Sequence, residues 1–402
     1  MEEMTDLAAR VREVRLKARR FASRLDDISE EFVDRDEVVR VLGLAVLCRE
    51  HALLIGPPGV AKSSLVDRFS QVLDVRQFSY LLSRFTEPAE LFGPLDVPLF
   101  QREGVFRINT AGMLPEAELV LLDEVFQGSS AILNSLLTLI NERMYFNGGA
   151  KQPAPILSVL GATNELPQDP ALAAFSDRFL LRVNVDYVPR DLVEDMLVAG
   201  WRHERRLAAE SLSDDEAPSA RFSLADLRQL QDEVTRVDVS GVRRLLAQVV
   251  GSLRSEGVTF SDRRAAKAQK LIAANALLGA RQQAEPADLA VLASMWTNQE
   301  DEATIRRVLD QADVPASERA RKVRDSSAIV LELRGLGAPR DFAESREELR
   351  ERARRLHNLA REARGDHSGD HELAAAIRAE YEACLGALRS LSDTGIEEVQ
   401  GV

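Results

Sequence analysis

The sequence predicts an α/β fold, in which a mainly parallel sheet is followed by two α-helical regions. The first observation is that short apolar runs alternate with helical stretches along the first half of the chain. The second is a glycine- and proline-rich loop, Gly56-Pro57-Pro58-Gly59, between the first apolar run and a helix. The third is that strand-like runs largely vanish after Tyr187.

The α/β region begins with helices and continues with five candidate strands. Apolar residues recur at helical spacing from Leu7 to Phe21, and a second helical pattern continues up to Glu50. The predicted strands are Ala52 to Ile55, Gln77 to Leu82, Leu119 to Leu122, Ile156 to Gly161 and Phe179 to Val185. Two hairpins interrupt them, Leu99 to Ile108 turning at Arg102-Glu103-Gly104 and Met144 to Ile156 turning near Asn147-Gly148-Gly149.

Changes of composition divide the chain into three regions. An α/β domain with N-terminal helices is predicted over residues 1–187, and an α-helical domain over residues 188–300. A polar loop, Ser211 to Ala220, interrupts the second domain. Its later helices are predicted at Leu224 to Thr235, Val239 to Leu253, Asp262 to Leu278 and Pro286 to Trp296. Residues 301–402 are rich in Arg, Glu, Ala and Leu and predict three helices of a C-terminal bundle.

Composition and charge exclude several classes of protein. The 402 residues include 65 Asp and Glu against 52 Lys and Arg, which gives a formal net charge of −13. A negative field repels phosphate backbones and anionic lipid, so broad binding to nucleic acid or to a membrane surface is disfavoured. No apolar run approaches the roughly 18 residues of a membrane-spanning helix. The distant Cys48 and Cys384 indicate no disulfide or zinc framework, and a reducing cytoplasm fits best.

A phosphate-binding loop is indicated between the first strand and the next helix. Its spacing lets successive backbone N–H groups and a helix N-terminus surround phosphates. We expect Lys62 to reach the β- and γ-phosphates of a nucleotide, and Ser63 to hold magnesium. Ala61 stands where the general motif has its second glycine, so the loop must tolerate a methyl group there. The alternative is a glycine-proline turn that happens to precede Lys-Ser. The residues assigned to the nucleotide are Gly56, Pro57, Pro58, Gly59, Val60, Ala61, Lys62, Ser63 and Ser64.

Two later strands end in polar residues that suit phosphoryl transfer. The run from Leu119 delivers Asp123 and Glu124 to the carboxyl edge of the sheet, where open α/β sheets bind ligands. Asp123 would orient the magnesium ion, and Glu124 would polarise the attacking water. In isolation a solvated strand end is the better interpretation, but the position after the loop favours a nucleotide site. Asn164 ends the next strand and can position the water or bind the γ-phosphate, although Thr-Asn is also an ordinary turn start.

In these motifs the sequence resembles the AAA+ ATPases of the MoxR family, and the string GPPGVAKS is most similar to its RavA branch. The likeness covers roughly residues 30–300, with the motifs in family order. The further matching stretches are Phe92-Gly93-Pro94, Leu114-Pro115-Glu116-Ala117-Glu118, Leu122-Asp123-Glu124, Ile132-Leu133-Asn134, Ile140-Asn141-Glu142-Arg143, Asn164-Glu165-Leu166-Pro167 and Asp177-Arg178-Phe179.

The resemblance implies an AAA+ P-loop NTPase core with a helical lid, and ATP and Mg²⁺ as cofactors. Asn164 resembles the first sensor, and Arg178 resembles the arginine finger that reaches the γ-phosphate of a neighbouring subunit. Arg263 resembles the second sensor on the lid, with its register against Arg264 left open. For Arg178 the alternative is a structural salt bridge, and for Arg263 a solvated helix face. The two predicted hairpins are similar to insertions of the family.

The leading functional hypothesis from this resemblance is an ATP-hydrolysing ring that remodels or assembles partner proteins. The family implies a hexamer, in which a closed ring gives every site a neighbour's finger, and a partner carrying a von Willebrand factor A domain. One alternative is a slow nucleotide-dependent assembly switch. A DNA-acting loader or helicase is disfavoured by the net charge and by the lack of a recognisable DNA-binding module.

Overall fold

The computed structural model describes residues 2–167, 169–210 and 221–314, together with residues 333, 352, 356, 359 and 375–384. The chain forms two compact units, Met1–Ser317 and Glu318–Val402. The predicted loop from Ser211 to Ala220 and most of the predicted C-terminal bundle lie outside the described residues. In the second unit, residues 375–384 are helical, and Leu356 and Ile377 are fully buried.

The secondary structure of the described residues follows the chain as strands and helices in alternation. The strands are β1 His51–Ile55, β2 Leu73–Asp74, β3 Gln77–Leu81, β4 Leu119–Asp123, β5 Met144–Asn147, β6 Ala150–Pro153, β7 Ser158–Thr163, β8 Phe179–Asn184 and β9 Phe222–Ser223. The α-helices are α1 Glu2–Glu31, α2 Asp36–Leu47, α3 Lys62–Val72, α4 Pro88–Phe92, α5 Val97–Glu103, α6 Ser130–Glu142, α7 Pro170–Ser176, α8 Val193–Glu210, α9 Leu224–Val234, α10 Arg243–Ser255, α11 Asp262–Leu278 and α12 Gln299–Gln311. Short 3₁₀ segments cover Leu114–Glu116, Arg190–Leu192, Ser240–Val242 and Pro286–Ser294.

A five-stranded parallel sheet forms the centre of the first unit, in the order β3-β4-β7-β1-β8. Every residue of β1 and β7 is buried, which explains why these strands are continuous apolar runs rather than alternating ones. The predicted parallel α/β sheet and its five strands are therefore confirmed. Because β1 lies between β7 and β8, the loop that leaves β1 starts beside the carboxyl ends of both neighbours.

A second, two-stranded contact joins the α/β region to the helical region that follows it. β2 pairs in parallel with β9, with Leu73 opposite Phe222. The ring of Phe222 packs on Phe21 of α1, with 5.1 Å between ring centroids. Strands of two residues carry no periodicity, so no local pattern predicts this pair.

One of the two predicted hairpins is wrong. Helix α5 lies where a strand and its turn were expected between Leu99 and Ile108. Asp96 caps this helix by accepting a 3.0 Å hydrogen bond from the Leu99 N–H, and Pro98 occupies the first turn. Gly104, with φ of +67°, ends it. A left-handed glycine serves a helix end as readily as a hairpin turn, so the turn signal was ambiguous.

The other predicted hairpin is confirmed and is formed by β5 and β6. Its strands pair antiparallel, with Asn147 opposite Ala150 at the turn. Asn147 is buried, and its side chain exchanges two hydrogen bonds with the backbone of Ile108, at 2.7 and 3.0 Å. The hairpin thus packs on the segment that follows α5.

The helical region after Tyr187 contains the predicted helices, with one difference. The stretch from Pro286 to Trp296 is a 3₁₀ segment, Pro286–Ser294, and not an α-helix. α12 begins close to the predicted boundary at residue 300 and packs against α10 in the first unit. The domain boundaries after residues 187 and 300 stay predictions. Among the described helices, none has the length and apolarity needed to cross a membrane.

Candidate functional site

The loop between β1 and α3 is held at the carboxyl edge of the sheet by its first glycine. The Gly56 N–H donates a 3.1 Å hydrogen bond to the Thr163 carbonyl at the end of β7. A Cβ atom at position 56 would lie 2.0 Å from the Val185 carbonyl oxygen, so a side chain is excluded. The loop therefore depends on glycine for its close approach to both neighbouring strands.

Ala61 adopts the left-handed conformation that the general motif assigns to glycine. It precedes α3 with φ of +64° and ψ of +27°. An L-residue in this region costs about 1 kcal/mol or more, because Cβ approaches the following carbonyl. Its methyl group is exposed, and α3 begins directly afterwards at Lys62. The first N–H groups of α3 consequently face the space in front of the loop.

That space is a cavity of about 290 Å³ formed by the loop, the start of α3 and the ends of β4 and β7. Its lining consists of Pro58, Gly59, Val60, Ala61, Lys62, Ser63, Ser64, Asp123, Glu124 and Asn164. Seven of the ten residues that the sequence assigns to the nucleotide line this cavity, Gly56 and Pro57 belong to the loop behind it, and Arg263 lies outside the lining. The sequence predictions for the loop and for both strand ends thus converge on one place.

Lys62 lies at the floor of this cavity and is 8% exposed. Its Nζ atom donates to the carbonyls of Gly56 and Pro57, the latter at 3.0 Å, and lies 3.4 Å from Asn164 Oδ1. Burial lowers the pKa of Lys62, while the nearby charges of Asp123 and Glu124 oppose that shift. The ammonium group thus lies between the loop carbonyls and the polar residue at the end of β7.

Ser63 and Asp123 bring two oxygen ligands together beside Lys62. The Ser63 hydroxyl donates a 3.0 Å hydrogen bond to Asp123 Oδ2. The other carboxylate oxygen of Asp123 accepts from the Glu124 N–H at 3.0 Å. Mg²⁺ prefers hard oxygen ligands and usually takes one or two from the protein, with phosphates and water completing its shell. The donor set therefore fits Mg²⁺.

Glu124 and Asn164 face each other across the ends of β4 and β7. The Asn164 Nδ2 group donates a 2.6 Å hydrogen bond to Glu124 Oε1. Glu124 has φ of +49°, an unusual conformation for a residue other than glycine. Such strain is characteristic of functional positions, and it directs this carboxylate into the cavity.

The predicted arginines lie outside the cavity lining and around a different carboxylate. Asp177, which follows α7, has Arg178 Nη1 at 3.9 Å, Arg263 Nη1 at 4.0 Å and Arg264 Nη2 at 3.2 Å. The side chains of Arg178 and Arg263 are 25% and 48% exposed. Neither side chain therefore contributes to the pocket of its own chain, as far as the described residues show.

Arg264 is a structural residue, which bears on the register that the sequence left open. Its side chain is 3% exposed, and its Nη1 atom donates to the carbonyls of Leu180 and Met295, the latter at 3.0 Å. Burial is the main cause that lowers the pKa of Arg264. Arg264 is committed to these carbonyls and Arg263 is 48% exposed, and the role of Arg263 as second sensor stays a prediction.

Sequence analysis missed the buried Arg182 beside this cluster and the central place of Asp177 within it. Arg182 of β8 is 2% exposed and donates to the carbonyls of Thr297 and Ser176. Its guanidinium lies over the Trp296 ring, 5.8 Å from the centroid, and burial lowers its pKa to about 10. Asp177 entered the sequence analysis only as part of a matching motif. No local pattern marks either residue, because their partners lie far along the chain.

The fold and this cavity together define an AAA+ type P-loop nucleotide-binding protein. The sequence matches the family described as the MoxR domain of the MoxR-vWA-beta-propeller ternary systems over residues 19–232, and the AAA lid domain over residues 237–309. The first match spans more than half of the chain, so the protein belongs to the MoxR family of AAA+ ATPases. The RavA branch, suggested by GPPGVAKS, stays a prediction.

Several known proteins are similar. Two uncharacterized proteins of Methanocaldococcus jannaschii, MJ0812 and MJ0079, are 36% and 34% identical, over 69% and 77% of this chain and 71% and 78% of their own. Chaperone MoxR1 of Mycobacterium tuberculosis is 27% identical over 40% of this chain and 43% of its own. A crystal structure described as a candidate ATPase from Cytophaga hutchinsonii shares the fold, with a TM-score of 0.61 and 19% identity over 78% of this chain and 98% of that one.

Proposed function

We propose that this protein hydrolyses ATP as an oligomeric ring and uses the cycle to remodel or assemble partner proteins. The observation that carries this proposal is the single cavity in which Lys62, Ser63, Asp123, Glu124 and Asn164 converge. In this proposal residues 1–187 bind and hydrolyse the nucleotide, residues 188–300 form the lid, and residues 301–402 form a helical bundle.

Each cavity residue has a distinct task in the proposed reaction of ATP and water to ADP and phosphate. The loop N–H groups and the start of α3 bind the phosphates, and Lys62 pairs with the β- and γ-phosphates. Ser63 and Asp123 would hold Mg²⁺, which when bound neutralises charge on the phosphate oxygens. Glu124 orients the attacking water and accepts its proton, and Asn164 positions that water or the γ-phosphate.

Arg178 is proposed to act on the nucleotide of a neighbouring subunit. Its side chain is partly exposed and lies outside the cavity lining of its own chain. An arginine finger supplied by another subunit raises turnover by about 10³ to 10⁵. A closed ring supplies one finger to every site, and the family resemblance favours six subunits. Arg263 of α11 is proposed as the second sensor, because Arg264 is committed to backbone carbonyls.

The partner is proposed to be a protein with a von Willebrand factor A domain. The matching family is described as part of MoxR-vWA-beta-propeller ternary systems, and one relative is named a chaperone. A pull-down with the Glu124→Gln variant and ATP tests this, because blocked turnover should retain a client. If the variant binds nucleotide and retains no protein with a von Willebrand factor A domain, the proposed partner is refuted. The proposed ATPase activity would not be affected by that result. Cys48 and Cys384 are not joined in a disulfide, which favours a reducing cytoplasm as the compartment.

The central experiment measures ATP hydrolysis per subunit against protein concentration. We expect the parent rate to rise with concentration, because assembly brings Arg178 to each site. Lys62→Ala should lose nucleotide binding, whereas Glu124→Gln and Arg178→Ala should bind ATP and lose turnover. Matched controls are Glu165→Gln and Arg190→Ala, which alter exposed residues outside the cavity lining. A parent rate independent of concentration, with full activity in Arg178→Ala, would refute the ring mechanism.

A slow nucleotide-dependent assembly switch is the second candidate function. The observation in its favour is the Asn164–Glu124 hydrogen bond, which occupies the carboxylate that would otherwise hold the water. The same four proteins separate the two functions. Equal and negligible rates in all of them, with assembly that still responds to ATP in the parent, would favour the switch.

A further inference from the structure

The carboxylate of Asp177 joins two halves of the first unit. Asp177 follows α7 in the α/β region, and its Oδ1 atom lies 3.4 Å from Arg264 Nε and 3.2 Å from Arg264 Nη2. Arg264 belongs to α11 in the helical region. Two nitrogens of one guanidinium thus contact the same carboxylate oxygen. This planar group constrains the orientation of the carboxylate more than a single ammonium group would.

Arg264 in turn is fixed within the helical region. Its Nη1 atom donates to the Met295 carbonyl at 3.0 Å, at the end of the last 3₁₀ segment, and lies 3.5 Å from the Trp296 carbonyl. The same guanidinium reaches the Leu180 carbonyl of β8 at 3.3 Å. A shift of α11 against the sheet must therefore alter the position of the Asp177 carboxylate or break these bonds.

Arg178, the next residue along the chain, is held loosely by comparison. Its Nη1 atom lies 3.9 Å from Asp177 Oδ2, which is too far for a hydrogen bond but close enough for charge attraction. Its Nε atom is buried and has no hydrogen-bond partner within the described part of the chain. Because a buried donor without an acceptor is costly, the guanidinium has reason to change its contacts when a ligand is presented.

We propose that Asp177 is a positioning residue, which transmits the position of this chain's lid to Arg178 and thereby sets the activity of the neighbouring subunit's site. The inference rests on the proposed function, since it needs Arg178 to act in trans. Asp177 itself touches no nucleotide in this account. Its negative charge aligns Arg178 on one side, while Arg264 ties the same carboxylate to α11 on the other.

Replacement of Asp177 by asparagine tests the charge with little change of shape. We expect the turnover of assembled Asp177→Asn to fall by up to about 100-fold, as for a misplaced catalytic group. Nucleotide affinity should change much less, because Arg263 Nη1 lies 4.0 Å from Asp177 Oδ2 and makes no hydrogen bond to it. Arg264→Lys is the second variant, because it keeps the positive charge and removes the planar fork. Asp262→Asn is the matched control, since Asp262 pairs with Arg254 and has no contact with Asp177. Thermal unfolding confirms that each variant is folded.

Mixed assemblies then separate a trans effect from damage to the variant's own site. Glu124→Gln subunits cannot hydrolyse ATP but carry intact Asp177 and Arg178. Titrated into Asp177→Asn, they should restore hydrolysis at the Asp177→Asn sites, as they should for Arg178→Ala. Hydrolysis restored for Arg178→Ala but not for Asp177→Asn would place Asp177 in its own site and overturn the inference.

The remaining outcomes are also decisive. Full activity in Asp177→Asn alone would overturn the inference and leave the trans role of Arg178 intact. Failure to restore Arg178→Ala, although mixed assemblies form, would refute the trans finger, and the inference would fall with it. Restoration of both Asp177→Asn and Arg264→Lys, with Asp262→Asn equal to the parent, supports the proposed link between lid and finger.

Discussion

The side-chain amide of Asn164 connects Glu124 to Lys62. Its Nδ2 group donates to Glu124 Oε1 at 2.6 Å, and its Oδ1 atom lies 3.4 Å from Lys62 Nζ. One amide therefore contacts both the lysine that would pair with phosphates and the carboxylate that would orient water. A γ-phosphate that attracts Lys62 would weaken the second contact and change the hydrogen bonding of Asn164.

Asn164→Ala should separate binding from chemistry. Removal of one preorganised polar group at a reacting centre costs about 10² to 10³ in turnover, so we expect a loss of that size. Nucleotide affinity should change little, because the loop and Lys62 remain. Single-turnover phosphate release and equilibrium nucleotide binding measure the two quantities. Asn109→Ala, at an exposed turn away from the cavity, is the control. A loss of affinity as large as the loss of turnover would contradict this role.

Arg264→Ala should mainly lower the free energy of unfolding, whereas Arg263→Ala should mainly lower nucleotide affinity. Without the buried Arg264, the carbonyls of Leu180 and Met295 lose a hydrogen-bond donor. The free energy of unfolding should therefore fall by about 3 kcal/mol or more. Arg263 is exposed, and its replacement should change that free energy by less than about 0.5 kcal/mol. Only Arg263→Ala should lower nucleotide affinity in folded protein. Denaturant unfolding and nucleotide titration of both variants check this, and the reverse pattern would move the second sensor to Arg264.

Ala61→Gly should be tolerated or slightly stabilising. Glycine relieves a left-handed conformation worth about 1 to 2 kcal/mol, against an entropic penalty of about 0.4 to 1 kcal/mol in the unfolded chain. We expect the free energy of unfolding to rise by up to about 1 kcal/mol, with nucleotide affinity retained. Ala303→Gly, in the exposed interior of α12, should instead lose about 1 kcal/mol. A marked loss of nucleotide binding in Ala61→Gly would show that the methyl group contributes to the site.

His51 should make the protein less stable as the pH falls below 6.5. Its Nδ1 atom accepts from the Val159 N–H at 3.0 Å, and its Nε2 atom lies 3.2 Å from the Ile140 carbonyl, so the buried ring is bound in its neutral form. Burial lowers its pKa from 6.5 to about 3. Between these pH values His51 is protonated in the unfolded state and neutral in the folded state. The free energy of unfolding therefore decreases on acidification by about 1.4 kcal/mol per pH unit.

His51→Gln removes this titration and isolates its contribution. From pH 7 to pH 5 the parent should lose about 2 kcal/mol more unfolding free energy than the variant. Denaturant unfolding at both values gives the difference, and the comparison at pH 8 gives the packing cost of the substitution alone. Parallel pH profiles for the two proteins would show that His51 is protonated in the folded state.

Local patterns were sufficient for much of the sheet and for the cavity. The central strands β1, β4 and β7 are mainly apolar because both faces of the sheet are covered there, and Asp123 and Glu124 follow directly from where the β4 run stops. Gly56 and Lys62 were placed by spacing alone. The segment from Leu99 to Ile108 was not, because a left-handed glycine after Glu103 fits a helix end and a hairpin turn equally.

The sequence by itself determined which residues are chemically able to bind a triphosphate, because the loop, its lysine and the strand-end carboxylates are encoded in short contiguous stretches. The tertiary structure decided how the arginines divide their tasks. Arg264 is buried and Arg263 exposed only because α11 packs against the segment Pro286–Ser294 and Arg264 bonds the Leu180 carbonyl of β8. Asp177 meets Arg264 across 87 residues of chain, and no periodicity spans such a distance.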